Sequence, residues 1–362
     1  MMTGPEAHLS VKALSNNYSI LAKLNRKGTL ICVLKANAYG HGATEVLQVL
    51  EKFGVTVIAV ARVCEAKELR EVNSNVRIII LQGAPLEDWV WCSENNVELV
   101  IHNYHDVNSV TSCDFSYKIS VWVKVNLGMN RLGIERDDLV SVIKKILDRK
   151  NVEIKGVIGH FSSADLGARG SAMTEQIEFT SLTEHCKQFS KSLYNSSAVL
   201  GSLRPRQDFE YERVGLALYG VSPVQQTLKC DAQKLQPVMS FIAPLISIRK
   251  ISKGEAVSYH GTWVSPRDTK IGVIAAGYGD GYPQNVEGAF VFLNGRRCAV
   301  VGVVCMDMMM VELGLDSNDE LGDIAVLWGK EVHISEIARA ANSTPYELFT
   351  RVAARVRRVI VH

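Results

Sequence analysis

Leu30-Ile31-Cys32-Val33-Leu34 is a short, β-branched apolar run. It leads into Lys35-Ala36-Asn37-Ala38-Tyr39-Gly40-His41-Gly42 and then into residues 43–53 (ATEVLQVLEKF). The run is too short for a helix core and rich enough in Val and Ile for a buried strand. The segment after it sets Val46, Leu47, Val49, Leu50 and Phe53 on one helical face. Together they form one strand–loop–helix unit.

Working outward, the unit repeats. Further short apolar runs lie at 55–63, 76–81, 97–101, 119–125, 153–159, 194–200 and 211–219, which with 30–34 makes eight. Amphipathic stretches separate them. Residues 137–147 carry Leu139, Val142, Ile143, Ile146 and Leu147 on one face, with Asp137 and Asp138 suited to the first turn. Eight alternations predict a (β/α)8 TIM-type barrel over residues 1–233. Beyond that the texture changes. Runs at 242–251, 271–276, 289–293, 299–304 and 308–313 are broken by Gly and Pro, and Asn294-Gly295 signals a type I′ hairpin. Residues 234–362 are therefore expected to form a mostly antiparallel β domain closed by two helices. Thr344-Pro345-Tyr346-Glu347 reads as a capping box with Pro at the first helical position. The fold class is α/β, a barrel plus a β domain.

Composition removes several classes of function. Lys+Arg number 40 against 38 Asp+Glu, so there is no global charge footprint for nucleic acid. Arg351, Arg355, Arg357 and Arg358 read as a solvated or inter-domain face. No apolar run approaches the length of a membrane span. Met1 to His8 shows no secretory pattern, and the eight cysteines (Cys32, Cys64, Cys92, Cys113, Cys186, Cys230, Cys298 and Cys305) include no C-x-x-C. The expectation is a cytoplasmic protein with reduced, mostly buried thiols. His102 and His105 follow a strand, and no metal site is expected.

In a parallel α/β barrel the chemistry gathers at the C-terminal ends of the strands. Lys35 follows the first strand directly, where desolvation lowers an ammonium's pKa and suits a Schiff-base amine, an ordinary strand-end Lys being the alternative. The fifth strand runs out to Arg131 and the sixth to His160. The seventh is expected to begin at Asn195-Ser196-Ser197, and the eighth carries Arg213-Val214-Gly215-Leu216. Loops after the last two strands are the fold's usual phosphate site, which makes Ser196 and the backbone at Gly215 candidates.

The set Val33–Gly42, Met129–Gly133, Gly159-His160-Phe161, Asn195-Ser196 and Glu212–Gly220 resembles the motifs of alanine racemases. So do Ser258–Trp263, Gly277–Tyr282 and Cys305-Met306-Asp307. The resemblance implies the cofactor pyridoxal 5′-phosphate, joined to Lys35 as a Schiff base. It implies that Tyr39 and Ser196, with the backbone of Gly215 and Leu216, hold the phosphate, and that Asn195 is among the cofactor-binding residues. Arg213 would face the pyridine nitrogen with His160 in support. Arg131 would meet the phenolic oxygen and the substrate carboxylate. It further implies a homodimer acting on a small amino acid, in which Tyr259 and Met306 come from the other subunit. Tyr278 would line the substrate's access path, and Lys124 matches a lysine carbamylated in some members. The implied activity interconverts L- and D-alanine, with D-alanine serving the cell wall or being degraded.

Chemistry supports these roles. Racemisation removes a proton from one face of Cα and returns it on the other, so two bases are wanted, Lys35 and Tyr259. An Arg at the ring nitrogen cannot give up its proton, which leaves the ring a weaker electron sink and suppresses side reactions. The sequence departs from the family pattern at Asn37 and Asn126, where Asp is frequent, and at Ala354, where a Tyr usually precedes Arg-Val. The last departure implies a wider access path and weaker cofactor retention. The alternatives are a broader racemase for serine or basic side chains, a fold-related amino-acid decarboxylase, a non-catalytic pyridoxal-phosphate-binding protein, and a lysine-dependent barrel aldolase.

Overall fold

The computed structural model describes residues 3–25, 28–73, 75–113, 115–201, 207–224 and 231–362. Cys230 lies outside the described residues. Two compact units emerge: Ser15–Ala38 with Ala43–Leu235, and the chain up to Leu14 with Tyr39–Gly42 and Gln236–His362. The first strand, β1 (Glu6–Ser10), belongs to the second unit.

The first unit is a closed parallel barrel of β2 (Thr29–Val33), β3 (Val57–Val60), β4 (Arg77–Ile80), β5 (Val97–Ile101), β6 (Ile119–Lys124), β7 (Val152–Ile158), β8 (Ser190–Ser192) and β9 (Tyr211–Val214). β9 closes on β2, with Arg213 opposite Ile31. The strands are near-continuous Val and Ile because both faces are covered. One expectation fails here. The apolar run 194–200 is not the seventh strand; Ser190–Ser192 is, and residues 196–200 form a short helix capped by Asn195, whose Oδ1 accepts the Ala198 N–H at 3.1 Å. Every residue of that helix is buried, so its composition imitates a strand. The polar β8 is held by its register with β7, where Gly156 faces Ser190 and Ile158 faces Ser192.

The N-terminal end of the barrel is plugged. Glu98, 1% exposed, accepts from Arg77 Nε at 2.7 Å and from Trp122 Nε1 at 2.6 Å. Arg77 Nη1 also donates to the Tyr211 hydroxyl at 2.8 Å. Trp122 fits only because residue 156 is glycine: a Cβ there would sit 2.3 Å from the indole ring.

In the second unit, β10 (Met239–Ile251) is the spine. It pairs with β13 (Thr269–Ile274), which continues through β16 (Met309–Glu312), β15 (Arg296–Val301), β14 (Phe290–Leu293) and β17 (Ile324–Trp328) back to β10, antiparallel throughout. A register shift between Leu245 and Ser247 lets β10 serve two neighbours. β11 (Ala256–Val257) and β12 (Trp263–Val264) form a separate ribbon. Asn294 and Gly295 have φ of 45° and 81°, as a type I′ turn requires. Tyr282 is buried and stacks on Trp328, which also packs on Phe241.

The expected boundary at 233/234 is corrected on its N-terminal side. β1 runs antiparallel to β10 and parallel to β18 (Arg357–Val361), so residues up to Leu14 belong to the β unit rather than to the barrel. The chain thus ends on a strand rather than on two helices. The basic C-terminal segment is paired: Arg357 with Glu6, Arg355 with Asp280 and Asp307, and Arg358 with backbone carbonyls. Thr344 caps its helix, but Glu347 closes no reciprocal box; its carboxylate meets Ser343 and Arg351 instead. The seven described cysteines are free, and burial pushes Cys32 and Cys92 up to about 12. No helix among the described residues is long and apolar enough to cross a membrane.

Candidate active site

The C-terminal end of the barrel inverts the chemistry of its base. Lys35 follows β2 by two residues, Lys124 ends β6, His160 follows β7 by two residues and Arg213 is third in β9. These are cations or potential cations, and they act on one another. The Lys35 ammonium is disfavoured first by desolvation and then by Arg131 and Arg213, with Glu65 opposing them. Burial, then Arg213, Arg131 and Lys35, bring Lys124 down to about 8. Burial with the same cations holds His160 at about 2, so the ring is neutral.

Arg213, 5% exposed, is gripped by the barrel. Nη1 donates to the Ser192 carbonyl and hydroxyl at 3.0 and 2.6 Å, and Nη2 donates to the Gly159 carbonyl at 2.6 Å. Nη2 also lies 3.2 Å from His160 Nδ1. A guanidinium only donates, so Nδ1 is the acceptor and the ring proton sits on Nε2. Among the described residues no carboxylate pairs with Arg213. The sequence did not single out Ser192; its only signal is its place at the end of a polar strand.

The remaining loops are shaped by specific contacts. The loop after β6 is built on Asn126, whose Oδ1 accepts the N–H of Gly128 and of Asn130, each at 3.1 Å, while Nδ2 donates to Asn130 Oδ1 at 2.9 Å. An Asp at 126 would meet Asn130 Oδ1 and Glu135 with no proton to offer. Lys124, Arg131 and His160 line one small cleft with Asn126 and Met129. Beyond β8, Ser196 Oγ accepts the Gly215 N–H at 2.9 Å, which joins the two loops expected to hold phosphate. Leu216 opens the buried turn Leu216–Tyr219, and the Tyr219 hydroxyl reaches back to the Val33 carbonyl at 2.9 Å. Asn195 spends its side-chain oxygen on the helix cap.

After Lys35 the backbone is unusual. Ala36, Asn37, Ala38 and Tyr39 have φ of 52° to 55° and are followed by Gly40 at 76°. A left-handed conformation costs an L-residue about 1–2 kcal/mol, so four in succession are sustained by outside contacts. Ala36 N–H donates to Glu65 Oε1 at 2.6 Å, Ala38 N–H to the Leu34 carbonyl at 2.7 Å, and Asn37 Oδ1 accepts from Ala43 N–H at 2.7 Å. Sequence reasoning missed both the turn and Glu65, since no glycine marks positions 36–39.

In the second unit Tyr259 is 65% exposed, on a turn where Ser258 and His260 have φ of 68° and 64°. The Ser258 hydroxyl donates to the Val303 carbonyl at 2.7 Å, and a Cβ at Gly302 would lie 2.6 Å from the Ser258 Cβ. Met306 and Tyr278 are exposed and joined: Tyr278 N–H donates to the Cys305 carbonyl, and Gly279 N–H to the Met306 carbonyl. Ala354 is exposed. Tyr39, expected at the barrel's phosphate site, falls in this unit; it is buried, with its ring centroid 6.0 Å from that of Tyr346.

Comparison with known proteins gives one pattern. Residues 9–223 match the family described as alanine racemase, N-terminal domain, and residues 238–360 the alanine racemase, C-terminal domain. An alanine racemase of Mannheimia succiniciproducens is 38% identical over 351 residues, covering 96% of each chain. One of Vibrio cholerae is 36% identical over 361 residues, covering 98% of each. The crystal structure of the biosynthetic alanine racemase of Pseudomonas aeruginosa superposes with a TM-score of 0.92 at 32% identity, covering all of both chains.

Proposed function

The chain belongs to the alanine racemase family, and on that premise we propose that it interconverts L- and D-alanine with pyridoxal 5′-phosphate as cofactor. The observation that carries this reading is the composition of the barrel's C-terminal end. A lysine with a lowered pKa stands with Arg131, Lys124 and a buried Arg213 that has only neutral partners.

The residues fit the cofactor. An anionic phosphate and phenolate need cations and donors, and the cluster is cationic with Glu65 as the one carboxylate acting on Lys35. Lys35 would hold the aldehyde carbon. Ser196 with the Gly215 and Leu216 backbone would hold the phosphate, and Arg131 the phenolic oxygen. By resemblance, Tyr39 is assigned to the phosphate and Asn195 to the cofactor-binding residues. Arg213 would face the ring nitrogen. When bound, pyridoxal phosphate draws electrons from the substrate's Cα–H bond and so acidifies it.

The chain's own groups then do the rest. Arg131 orients the substrate carboxylate. Lys35 Nζ, whose ammonium is disfavoured by burial and then by its cationic neighbours, exchanges the Cα proton on one face. The Tyr259 hydroxyl exchanges it on the other. Arg213, fixed by backbone carbonyls and by a neutral His160, keeps its proton and so would offer none to the ring nitrogen of the bound cofactor. We assign Tyr259 and Met306 to the site of a second copy of the chain, with Tyr278 on the access path. Their exposure supports this, because a base must face its substrate.

Proton NMR in D2O with cofactor and L-alanine, L-serine or L-lysine tests the reading. Loss of the alanine Cα proton with formation of D-alanine is expected. Exchange confined to serine or lysine would replace the substrate, and no exchange with any of the three would overturn the activity.

A further inference from the structure

We propose that Glu65 is a positioning residue for Lys35: its carboxylate clamps the left-handed turn that aims the lysine and supplies the negative charge that opposes the surrounding cations. The inference rests on the reading of Lys35 as the cofactor lysine.

Glu65 stands at the third position of the helix Val63–Val72 and uses both oxygens on backbone donors. Oε2 accepts the N–H of Ala61 at 2.7 Å and of Arg62 at 3.0 Å, which caps the helix and fixes it to the end of β3. Oε1 reaches across to the N–H of Ala36 at 2.6 Å, the first left-handed residue after Lys35. One carboxylate therefore joins two neighbouring strand ends. Without it Ala36 loses its acceptor, and the turn that sets the direction of the Lys35 side chain loses an anchor at its first residue. The charged groups acting on Lys35 from neighbouring elements are Arg131 and Arg213, and Lys35 in turn acts on Lys124 and His160. Among the described residues Glu65 is the one carboxylate acting on Lys35, and its charge favours the ammonium.

The clamp and the helix cap can be separated. Gln serves as well as Glu at the third position of a cap. In Glu65→Gln the amide oxygen can keep Ala61 and Arg62, but the amide NH2 then faces the Ala36 N–H, donor against donor. The charge is lost at the same time. Glu65→Ala removes cap and clamp together.

The test uses the full-length chain. Bound cofactor is reduced with borohydride and the labelled peptide mapped; an adduct at Lys35 supports the reading on which the inference rests, and its absence overturns that reading alone. Independently, the reductive methylation rate of Lys35 in cofactor-free protein is followed against pH by mass spectrometry. In Glu65→Gln the midpoint is expected to fall by about half a pH unit or more, with a smaller loss of melting temperature than in Glu65→Ala, because the helix cap is kept. In the loaded enzyme kcat should fall about tenfold with KM for alanine little altered. Glu65→Ala should show the same midpoint and a lower melting temperature. A midpoint in Glu65→Gln equal to wild type would reduce Glu65 to a helix cap and overturn the proposal.

Discussion

His160 Nδ1 accepts a hydrogen bond from Arg213 Nη2 at 3.2 Å, and the ring that accepts it is neutral. Burial and four neighbouring cations hold His160 at about 2, whereas histidine in an unfolded chain titrates near 6.5. Between those values the unfolded state binds one more proton than the native state. Stability therefore rises with pH across this window and is lost on acidification. His160→Gln keeps an acceptor for Arg213 and removes the titration. The melting temperature of wild type should fall more steeply from pH 6.5 to 4 than that of the variant; parallel curves would assign the acid sensitivity to another group.

If, as proposed, Lys35 and Tyr259 are the bases on opposite faces, they leave a directional signature. Lys35→Ala should abolish cofactor absorbance bound to the protein and nearly all activity. Tyr259→Phe should bind cofactor as wild type does, yet slow proton removal from L-alanine far more than from D-alanine, by roughly 10²–10⁴-fold for the affected base. Deuterium exchange measured separately from each enantiomer reads this, and equal slowing would refute the two-base assignment.

If each site draws Tyr259 from the other copy, two inactive variants should rescue each other. In a Lys35→Ala/Tyr259→Phe heterodimer one site has neither base and the other has both. Random re-pairing after mild dissociation gives heterodimers in half the population, so activity should return to about one quarter of wild type. If Tyr259 served its own chain, both heterodimer sites would be damaged and mixing would restore nothing.

The barrel was legible because buried parallel strands repeat Val and Ile regularly, and so was the placement of Lys35, Lys124 and His160 at strand ends, because those ends are predictable once strands are. Where reading failed, the cause was tertiary. Ser190–Ser192 is a strand by register alone, and Ser196–Leu200 a helix by its Asn195 cap. β1 and β18 are each other's parallel neighbours across nearly the whole chain, a pairing no local pattern announces. The left-handed turn after Lys35 lacks the glycines that normally reveal one, because Glu65, distant in sequence, sustains it. Asn126 was read as a departure, yet its amide donates to Asn130 as no carboxylate could.

The plugged end of the barrel separates stability from chemistry. Glu98, second in β5, is buried and paired with Arg77 at the start of β4 and with Trp122 two residues before the end of β6. Glu98→Gln leaves the Arg77 guanidinium partly buried without its counter-charge, and breaking such a pair costs about 3–5 kcal/mol. The urea midpoint should drop accordingly, while kcat of the protein still folded stays near wild type. A comparable fall in kcat would mean the two ends of the barrel are coupled.

Lys124 offers the last prediction. Among the described residues no carboxylate pairs with it, and burial with Arg213, Arg131 and Lys35 lowers it to about 8. A neutral amine attacks CO2 through nitrogen, forming an N–C bond and releasing a proton, and the carbamate formed is an anion. The exchange replaces a fourth cation with an anion beside Arg213 and Arg131, so the site favours the product as well as the nucleophile. Under fixed 13CO2 pressure a carbamate carbonyl resonance should appear, stronger at pH 8 than at pH 6.5 because the ammonium does not react. It should vanish in Lys124→Ala, and activity of the wild type should rise with added CO2. A resonance that survives in Lys124→Ala would place the carbamate on another amine, and none in wild type at pH 8 would leave Lys124 a plain cation beside Arg131.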